Sequence, residues 1–179
     1  MHTIVELTEA PLGSYQGAKM GQVATPVGQA CLVWDDLGIR EFGFAAEPPE
    51  MMGAPIGSPI GGASISREDA KATALVTAAF GQGPLTLPLV LSGTDFQRQV
   101  WRALLQVPVG ETISYAQLAS RVGKPGAARA VGSAVGANRI GFLVPCHRVV
   151  RQDGVIGQFR WGSDVKQRLL QWESRLTHG

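Results

Sequence analysis

The chain has 179 residues and carries 16 Lys and Arg against 14 Asp and Glu, a net charge of +2, so it is long enough for one large domain or two small ones. No apolar run reaches the length needed to cross a bilayer, and the N-terminus lacks the basic and then apolar pattern of a secretory signal. We therefore expect a cytoplasmic protein without a membrane partner. The two cysteines, Cys31 and Cys146, are far apart in the sequence, which favours a reducing compartment over a disulfide framework.

The charge is divided unevenly between the two halves of the chain. Residues 1–92 hold four Lys and Arg and nine Asp and Glu, a balance of −5, whereas residues 93–179 hold twelve and five, a balance of +7. A basic C-terminal half favours a polyanionic partner such as nucleic acid. A soluble surface with uneven charge is the alternative that charge alone leaves open.

Short segments separated by Gly and Pro predict a small antiparallel sheet over residues 17–46. Its predicted strands are Gly17–Pro26, Gln29–Asp36 and Ile39–Ala46. The stretch 48–64 is rich in Pro, Gly and Met, and it predicts a loop.

A helix is predicted next, at Ser66–Phe80, with Ser66 as its cap. Residues 81–91 contain two prolines and predict an extended connection that links two lobes.

Two capping boxes predict helices in the C-terminal half. Thr94 with Gln97 opens the first helix, and Ser114 with Gln117 opens the second. A Gly-containing turn then leads to a predicted helix of small residues at Ala127–Ala137. The second and third of these helices form a helix-turn-helix candidate.

The last helix of that candidate has one long charged side chain, Arg129, near its N-terminus. A helix this smooth can approach a groove closely, but it has few side chains for reading base edges. The pattern fits shape-led, largely sequence-independent DNA binding, including binding in the minor groove. Tight helix–helix packing would use the same small residues and stays open as the alternative.

The segment Val144–Arg148 places a cysteine directly before a histidine. Arg148 and Arg151 are close in sequence, and nearby positive charge lowers the pKa of a cysteine. Side chains that are adjacent on a strand point to opposite faces, so Cys146 and His147 would cooperate only at a turn or through a bridging water. A buried cysteine beside an unrelated histidine is the alternative.

A last helix is predicted from Ser163 to about Leu176. Glu173 falls on or beside its apolar stripe, four residues after Leu169, and a buried carboxylate needs a partner. His147 is one candidate, because a Glu-His-Cys relay would orient the imidazole and let it draw a proton from the thiol. A salt bridge to Arg175 or to another arginine is the competing interpretation.

The sequence predicts neither a metal site nor a nucleotide site. Its Cys and His residues lack CxxC and HxxxH spacing, and no Gly-rich phosphate loop is present. We expect no metal and no cofactor.

Together, the motifs of the C-terminal half resemble those of the O6-alkylguanine-DNA alkyltransferases, also called methylated-DNA–protein-cysteine methyltransferases. The resemblance covers roughly residues 84–175. Within the family, this part of the chain is most similar to the C-terminal repair domain of the bacterial adaptive-response protein. The motifs that carry it are Phe96–Trp101, Val107–Thr112, Ser114–Ala119, Arg129–Gly132, Asn138, Val144–Val150, Phe159–Gly162 and Lys166.

The resemblance implies an α+β fold with two lobes. Residues 1–83 would form a ribonuclease-H-like lobe with a small antiparallel sheet, and residues 84–92 would form an extended linker. Residues 93–179 would form a mostly helical, winged-helix-like DNA-binding and catalytic domain that contains the helix-turn-helix.

The resemblance also implies direct-reversal DNA repair. An alkyl group on guanine O6, or on thymine O4, would move irreversibly to Cys146 after the base is flipped out of the duplex, so each molecule would act once. His147, held by Glu173, would deprotonate Cys146 through a water. Tyr115 would hydrogen-bond guanine N3 as the base leaves, and Asn138 would brace the turn before the active-site strand.

Other residues would contact the DNA. Arg129 would enter the base stack and fill the space of the flipped nucleotide, and backbone groups at Cys146, Val149 and Arg160 would read the base edges. Further implied contacts are Ser114, Tyr115, Ala127, Ala130, Gly132, Arg148, Phe159 and Lys166. The implied partner is alkylated double-stranded DNA, bound through its minor groove by a monomer, with side-by-side binding left open and, in a bacterium, association with the nucleoid.

The chain departs from the family in three ways. Its Pro, Gly and Met-rich stretch at 48–64 stands where the family is usually more regular. Arg160 stands where some relatives carry a small polar residue, which implies a narrower pocket and poorer use of bulky alkyl groups. The N-terminal half lacks the Cys and His cluster that holds zinc in some relatives.

Three rival functions remain. They are a non-catalytic damage sensor that binds alkylated DNA, a transcription factor built on the helix-turn-helix, and a cysteine hydrolase. Relatives that only flag the lesion carry Trp in place of the cysteine, so Cys146 argues against the sensor.

Overall fold

The computed structural model describes residues 3–10, 15, 17–44, 65–81 and 85–178. It divides into two compact units, Met1–Gly93 and Thr94–Gly179. The described residues form a mixed sheet in the first unit and five α-helices in all, which confirms the α+β class. No helix among them is long and apolar enough to cross a membrane.

The first unit is built on a six-stranded sheet. Its strands are β1 (Thr3–Glu9), β2 (Lys19–Thr25), β3 (Gly28–Asp35), β4 (Gly38–Phe44), β5 (Ser66–Arg67) and β6 (Leu85–Leu91), in the order β1-β6-β4-β3-β2-β5. The antiparallel meander β2-β3-β4 confirms the sheet predicted over 17–46. The loop predicted at 48–64 lies outside the described residues.

The extended linker expected over residues 84–92 is in fact largely a strand of the sheet, β6. It pairs in parallel with all of β1, and its ladder with β4 is short, with Ile39 paired to Leu89. Leu87, Leu89 and Leu91 are buried, so this segment supplies apolar side chains to the core. Pro88 lacks a donor, which made the segment look like a connection, but a single missing hydrogen bond is tolerated where the pairing with β4 is this short.

Helix α1 (Asp69–Phe80) begins later than predicted. Ser66 belongs to β5, beside β2, and therefore does not cap the helix. The N-cap is Glu68, which makes no side-chain capping bond. Asp69 instead accepts from the backbone N–H of Gln22, 3.1 Å away, so that α1 is tied to β2.

The second unit contains the other four helices and a two-stranded ladder. They are α2 (Asp95–Leu104), α3 (Tyr115–Arg121), α4 (Ala128–Gly136), α5 (Ser163–His178), β7 (Ile113–Ser114) and β8 (Val149–Val150). Both predicted capping boxes are present, at Thr94 with Gln97 and at Ser114 with Gln117.

Helices α3 and α4 pack together as the predicted helix-turn-helix. The turn between them passes through Gly123, whose φ of 70° suits glycine. Trp101 of α2 donates from Nε1 to the carbonyl of Ala134 at 2.8 Å, which fixes α4 from behind. The outer face of α4 carries the exposed residues Arg129 and Ala130.

Contact between α1 and β2 depends on two small residues. A Cβ added at Gly21 would lie 2.4 Å from Ala72 Cβ and 3.1 Å from the carbonyl oxygen of Glu68. We predict that Gly21→Ala lowers the melting temperature, and that adding Ala72→Gly recovers part of the loss even though Ala72→Gly alone costs about 1 kcal/mol.

Gly136→Ala is the matched control for that double-mutant cycle. Gly136 is helical, and nothing lies within 4 Å of its added Cβ, so alanine should leave stability unchanged or raise it. Strictly additive effects of Gly21→Ala and Ala72→Gly in thermal melts would contradict the packing argument.

Candidate active site

Cys146 and His147 share a 3₁₀ turn, Cys146–Arg148, that ends at β8. Successive side chains on such a turn are about 120° apart, unlike the opposite faces of a strand. The turn that the sequence required for cooperation between the two residues is therefore present. The N–H of Val149 donates to the carbonyl of Cys146 and closes the turn.

Glu173 is the buried carboxylate on which the turn is anchored. It accepts from His147 Nε2 at 2.9 Å and from Arg148 Nη2 at 2.7 Å, with Arg148 Nε at 3.0 and 3.1 Å from its two oxygens. The N–H of Gly110 donates to it at 3.3 Å. Both candidate partners are thus realised, since His147 and an arginine bind the same carboxylate, and the arginine is Arg148 rather than Arg175.

These donors control the pKa of Glu173. Burial favours its neutral form, but hydrogen bonds from His147 and Arg148 outweigh burial and hold the pKa at about 2. Glu173 is therefore an anion at neutral pH.

His147 is neutral at the same pH. It is fully buried, and burial lowers its pKa although Glu173 acts in the other direction. A neutral imidazole whose Nε2 faces a carboxylate carries its proton on Nε2, which leaves Nδ1 as a free acceptor. No described residue hydrogen-bonds Nδ1.

Asn138 is a buried brace for the cysteine. Its Nδ2 lies 3.1 Å from Cys146 Sγ, 3.0 Å from the carbonyl of Val144 and 3.3 Å from that of Ile140. Its Oδ1 accepts from the N–H of Ile140 at 3.0 Å. One side chain therefore joins the end of α4, the loop that follows it and the thiol.

The thiol is not activated in the way that the sequence suggested. Burial raises the pKa of Cys146 to about 11, and the Asn138 hydrogen bond and the charges of Lys166 and Arg160 offset that rise only in part. The two arginines named from the sequence play no part, because Arg148 is held by Glu173 and Arg151 pairs with Asp153 at 3.1 Å. The resting site holds a neutral thiol.

A cavity of about 720 Å³ opens over Cys146. Of the predicted site residues, it is lined by Tyr115, Gly132, Cys146, Phe159 and Arg160. A Cβ at Gly132 would lie 3.7 Å from the Tyr115 ring, so glycine leaves room beside the phenol. Burial raises the pKa of Tyr115, and the charge of Cys146 adds to the effect.

Two residues predicted to contact DNA, Arg148 and Lys166, are buried. Arg148 is 8% exposed and directs its guanidinium to Glu173 and to the carbonyl of Val107. Lys166 is fully buried, and its Nζ donates to the carbonyl of Val149 at 2.6 Å. Neither cation faces outward, because each long side chain has an acceptor inside the unit.

The remaining predicted contacts lie in three places. Ser114 and Tyr115 border a second cavity, of about 570 Å³, together with Arg151. Arg129 and Ala130 are exposed on α4, and Ala127 is half-buried just before it. Val149 is buried, with its carbonyl bound to Lys166.

Sequence reasoning missed residues that support the site. Gly110, with φ of 81°, brings its N–H to Glu173, and the Val-Pro-Val-Gly stretch was a turn signal that could have found it. Phe142 adopts φ of 66° and stacks on His147, with ring centroids 6.2 Å apart and planes 22° apart. Nothing in the sequence signals that a phenylalanine occupies this left-handed conformation.

No group of three or more Cys, His, Asp or Glu side chains is placed to hold a metal ion within the described part of the chain.

The family model and the curated relatives described next match about half of the chain, and the residues that the family model matches lie in the second unit. The family model described as "6-O-methylguanine DNA methyltransferase, DNA binding domain" matches residues 95–175. Over 91 residues the chain is 56% identical to the bifunctional transcriptional activator/DNA repair enzyme Ada of Escherichia coli, a match that covers 51% of this chain and 26% of Ada. Over 100 residues it is 50% identical to a methylated-DNA–protein-cysteine methyltransferase of Mycolicibacterium paratuberculosis, covering 54% and 61%. The matches thus span less than two thirds of these curated relatives.

Solved structures are similar over most of the chain. The crystal structure of Mycobacterium tuberculosis OGT in complex with DNA aligns with a TM-score of 0.70 at 30% identity. The alignment covers 88% of this chain and 93% of that one, so the likeness is not confined to residues 95–175.

The buried carboxylate predicts acid-sensitive stability. In the folded protein the pKa of Glu173 is lowered from 4.5 to about 2 and the pKa of His147 is lowered from 6.5. Glu173 and His147 therefore bind protons more readily in the unfolded chain than in the folded protein. We predict that the free energy of unfolding, from urea titrations, falls as the pH is lowered through 6.5 and then through 4.5.

Glu173→Gln tests the carboxylate directly. The variant leaves the Arg148 charge buried without its anion, so we expect a loss of about 3–5 kcal/mol at neutral pH and a flatter pH dependence below pH 4.5. Glu111→Gln, at an exposed carboxylate of the same unit, should change stability by less than about 0.5 kcal/mol. An unaltered acid limb in Glu173→Gln would show that the carboxylate is not its source.

Proposed function

The chain belongs to the O6-methylguanine DNA methyltransferase family, and from that premise we propose that it repairs DNA by moving an alkyl group from guanine O6 to its own Cys146. The observation that carries the proposal is the arrangement at the 3₁₀ turn. A thiol at the floor of an open cavity is braced by Asn138 and adjoins a neutral histidine that Glu173 orients.

The chemistry is a single displacement. Cys146 Sγ attacks the alkyl carbon, the new S–C bond forms as the C–O6 bond breaks, and the electron pair returns to the guanine. The thiol proton leaves through His147 Nδ1, and a proton is returned to the guanine, so the net products are a thioether and an unmodified base. A thioether does not hydrolyse, so each molecule acts once as a methylated-DNA–protein-cysteine S-methyltransferase.

A water between the thiol and the histidine fits this proton path. Nδ1 is a buried acceptor that no described side chain satisfies, and buried polar atoms of this kind commonly bind an internal water. The Nε2–H stays with Glu173, whose negative charge stabilises the imidazolium that forms. The thiol with its raised pKa is thereby ionised only during the reaction.

The cavity is suited to a flipped base. Guanine O6 lies inside the duplex, so the nucleotide has to be extruded at a cost of a few kcal/mol. Tyr115 lies on the cavity wall beside Gly132, where its hydroxyl would hydrogen-bond guanine N3. Arg129 on the exposed face of α4 would fill the vacated place in the stack, and backbone groups at Cys146, Val149 and Arg160 would read the base edges.

The DNA would bind along α4 through its minor groove. The helix has small residues and one long cation, and the chain from residue 93 onward is basic, which suits a polyanion of regular shape. We propose alkylated double-stranded DNA as the partner, a monomer as the binding species, and the nucleoid as its place in a bacterium. Side-by-side binding would follow only if neighbouring molecules contact one another on DNA.

Family membership also suggests finer features of the fold and the substrate range. The first unit would be the ribonuclease-H-like lobe and the second the winged-helix-like domain. Arg160 lines the cavity and would restrict it, so small alkyl groups on guanine O6, and on thymine O4, are the proposed substrates. No cofactor enters the displacement.

The decisive experiment is intact-protein mass spectrometry after mixing with a duplex that contains one O6-methylguanine. We predict a stoichiometric gain of one methyl group, lost in Cys146→Ala and retained in Cys31→Ala. Cys31 is the matched control because it is also buried and its pKa is likewise raised to about 11, yet it lies in the first unit.

Other results would point to the rival functions. An unmodified protein that binds the lesion tightly would be a damage sensor. Repeated turnover of an ester through Cys146 would make the protein a hydrolase. Either result would overturn the transfer of the alkyl group to Cys146.

A further inference from the structure

Lys166 is a buried cation that the proposed reaction leaves without a role. It lies on α5 and is fully buried. Its Nζ has a single acceptor among the described residues, the carbonyl of Val149 at 2.6 Å. No carboxylate pairs with it in the described part of the chain, since Glu173 on the same helix is taken by His147 and Arg148.

A buried ammonium without a carboxylate partner destabilises the folded state. Removing an ammonium from water is energetically unfavourable, and one neutral carbonyl does not compensate for the lost hydration. Burial lowers the pKa of Lys166, so the folded state is less stable at neutral pH than it would be with an apolar side chain of the same length. A methionine would fill the same space without the buried charge, although it would leave the carbonyl of Val149 without this donor. Packing alone therefore does not account for a lysine.

The surroundings of Lys166 lead back to the thiol. The carbonyl that it binds belongs to Val149, and the N–H of the same residue donates to the carbonyl of Cys146. The ammonium is therefore attached to the closing end of the turn that carries the nucleophile. An anion forms there only when Cys146 loses its proton.

We propose that Lys166 is the standing countercharge of the Cys146 thiolate, a positioning residue that stabilises the anion formed during alkyl transfer. This inference rests on the proposed function for its biological meaning, but not for its test. The mutual effect of the two groups supports it. The charge of Lys166 lowers the pKa of Cys146, and the charge of Cys146 raises that of Lys166.

Other charged groups around the thiol are less suited to this role. Arg160 also lowers the pKa of Cys146, but it is exposed, so solvent and salt screen it. Arg148 is neutralised by Glu173, and His147 is neutral because burial lowers its pKa. Tyr115 carries no charge at neutral pH, since its pKa is raised. Lys166 alone among these is both charged and fully buried.

The first test follows the labelling of Cys146 by iodoacetamide, without DNA, in a Cys31→Ala background. The S–C bond forms as the C–I bond breaks, so the rate reports the thiolate fraction. Between about pH 7 and 9 the wild-type rate should rise tenfold per pH unit. We predict for Lys166→Met a parallel line at least about tenfold lower, because each unit of thiol pKa is a factor of ten.

Stability and a matched control separate this role from a structural one. Lys166→Met should change the melting temperature little, because removal of the buried charge offsets the loss of the donor to Val149. Lys166→Arg should label faster than Lys166→Met because it keeps the charge. Arg168→Met removes an exposed charge from the same helix and should change neither quantity. The proposal would be overturned if Lys166→Met labelled at the wild-type rate. It would also be overturned if the variant labelled more slowly but had a lower melting temperature that accounts for the whole decrease in rate.

A second test places a permanent anion at the nucleophile. The loss of melting temperature caused by Cys146→Asp should be larger in the Lys166→Met background than in the wild type, since only the wild type retains the countercharge. Equal losses would contradict the proposal. Methyl transfer from DNA is scored separately, so a wild type that labels as predicted but accepts no methyl group would reject the proposed function and keep the countercharge.

Discussion

A single buried carboxylate holds the site together. Glu173 reaches from α5 to the 3₁₀ turn through His147 and Arg148, and to the loop before α3 through the N–H of Gly110. Removing an anion from water is tolerated only when donors replace the water, and here three residues do so. Burial keeps the histidine neutral against the pull of this anion, and the carboxylate holds the imidazole proton on Nε2, which leaves Nδ1 as the proposed base. Structure and the proposed proton transfer thus depend on the same contacts.

The second feature of the site is a thiol that is protected at rest. Cys146 is as buried as the structural Cys31, and burial raises the pKa of both thiols to about 11. What distinguishes Cys146 is its surroundings: an amide donates to its sulfur, a neutral histidine follows it in the same turn, and a buried ammonium binds the carbonyl of Val149 at the end of that turn. In the proposed reaction, a nucleophile that reacts only once would gain from remaining protonated until a substrate fills the cavity. Low reactivity of the thiol at rest would then follow from its burial.

The sequence predicted what local patterns determine. Capping boxes at Thr94 and Ser114 placed two helices, and the position of Glu173 relative to Leu169 put a carboxylate at the buried face. It failed where distant pairing decides the outcome, since β6 forms most of its ladder with β1, which is far away in the sequence. It also failed for Arg148 and Lys166, because a count of charges does not show which long side chains turn inward. The thiol pKa was misjudged for the same reason: burial, which the sequence does not display, outweighs nearby cations.

The most direct test of this account is ¹⁵N NMR of His147 in the resting protein at neutral pH, with the signal assigned by its loss in His147→Gln. The account predicts a neutral ring with the proton on Nε2 and an unprotonated Nδ1, and the same state persisting well below the usual histidine pKa. A protonated imidazolium at neutral pH, or a neutral ring with the proton on Nδ1, would contradict it. In either case the atom assigned as the base could not accept the proton of Cys146.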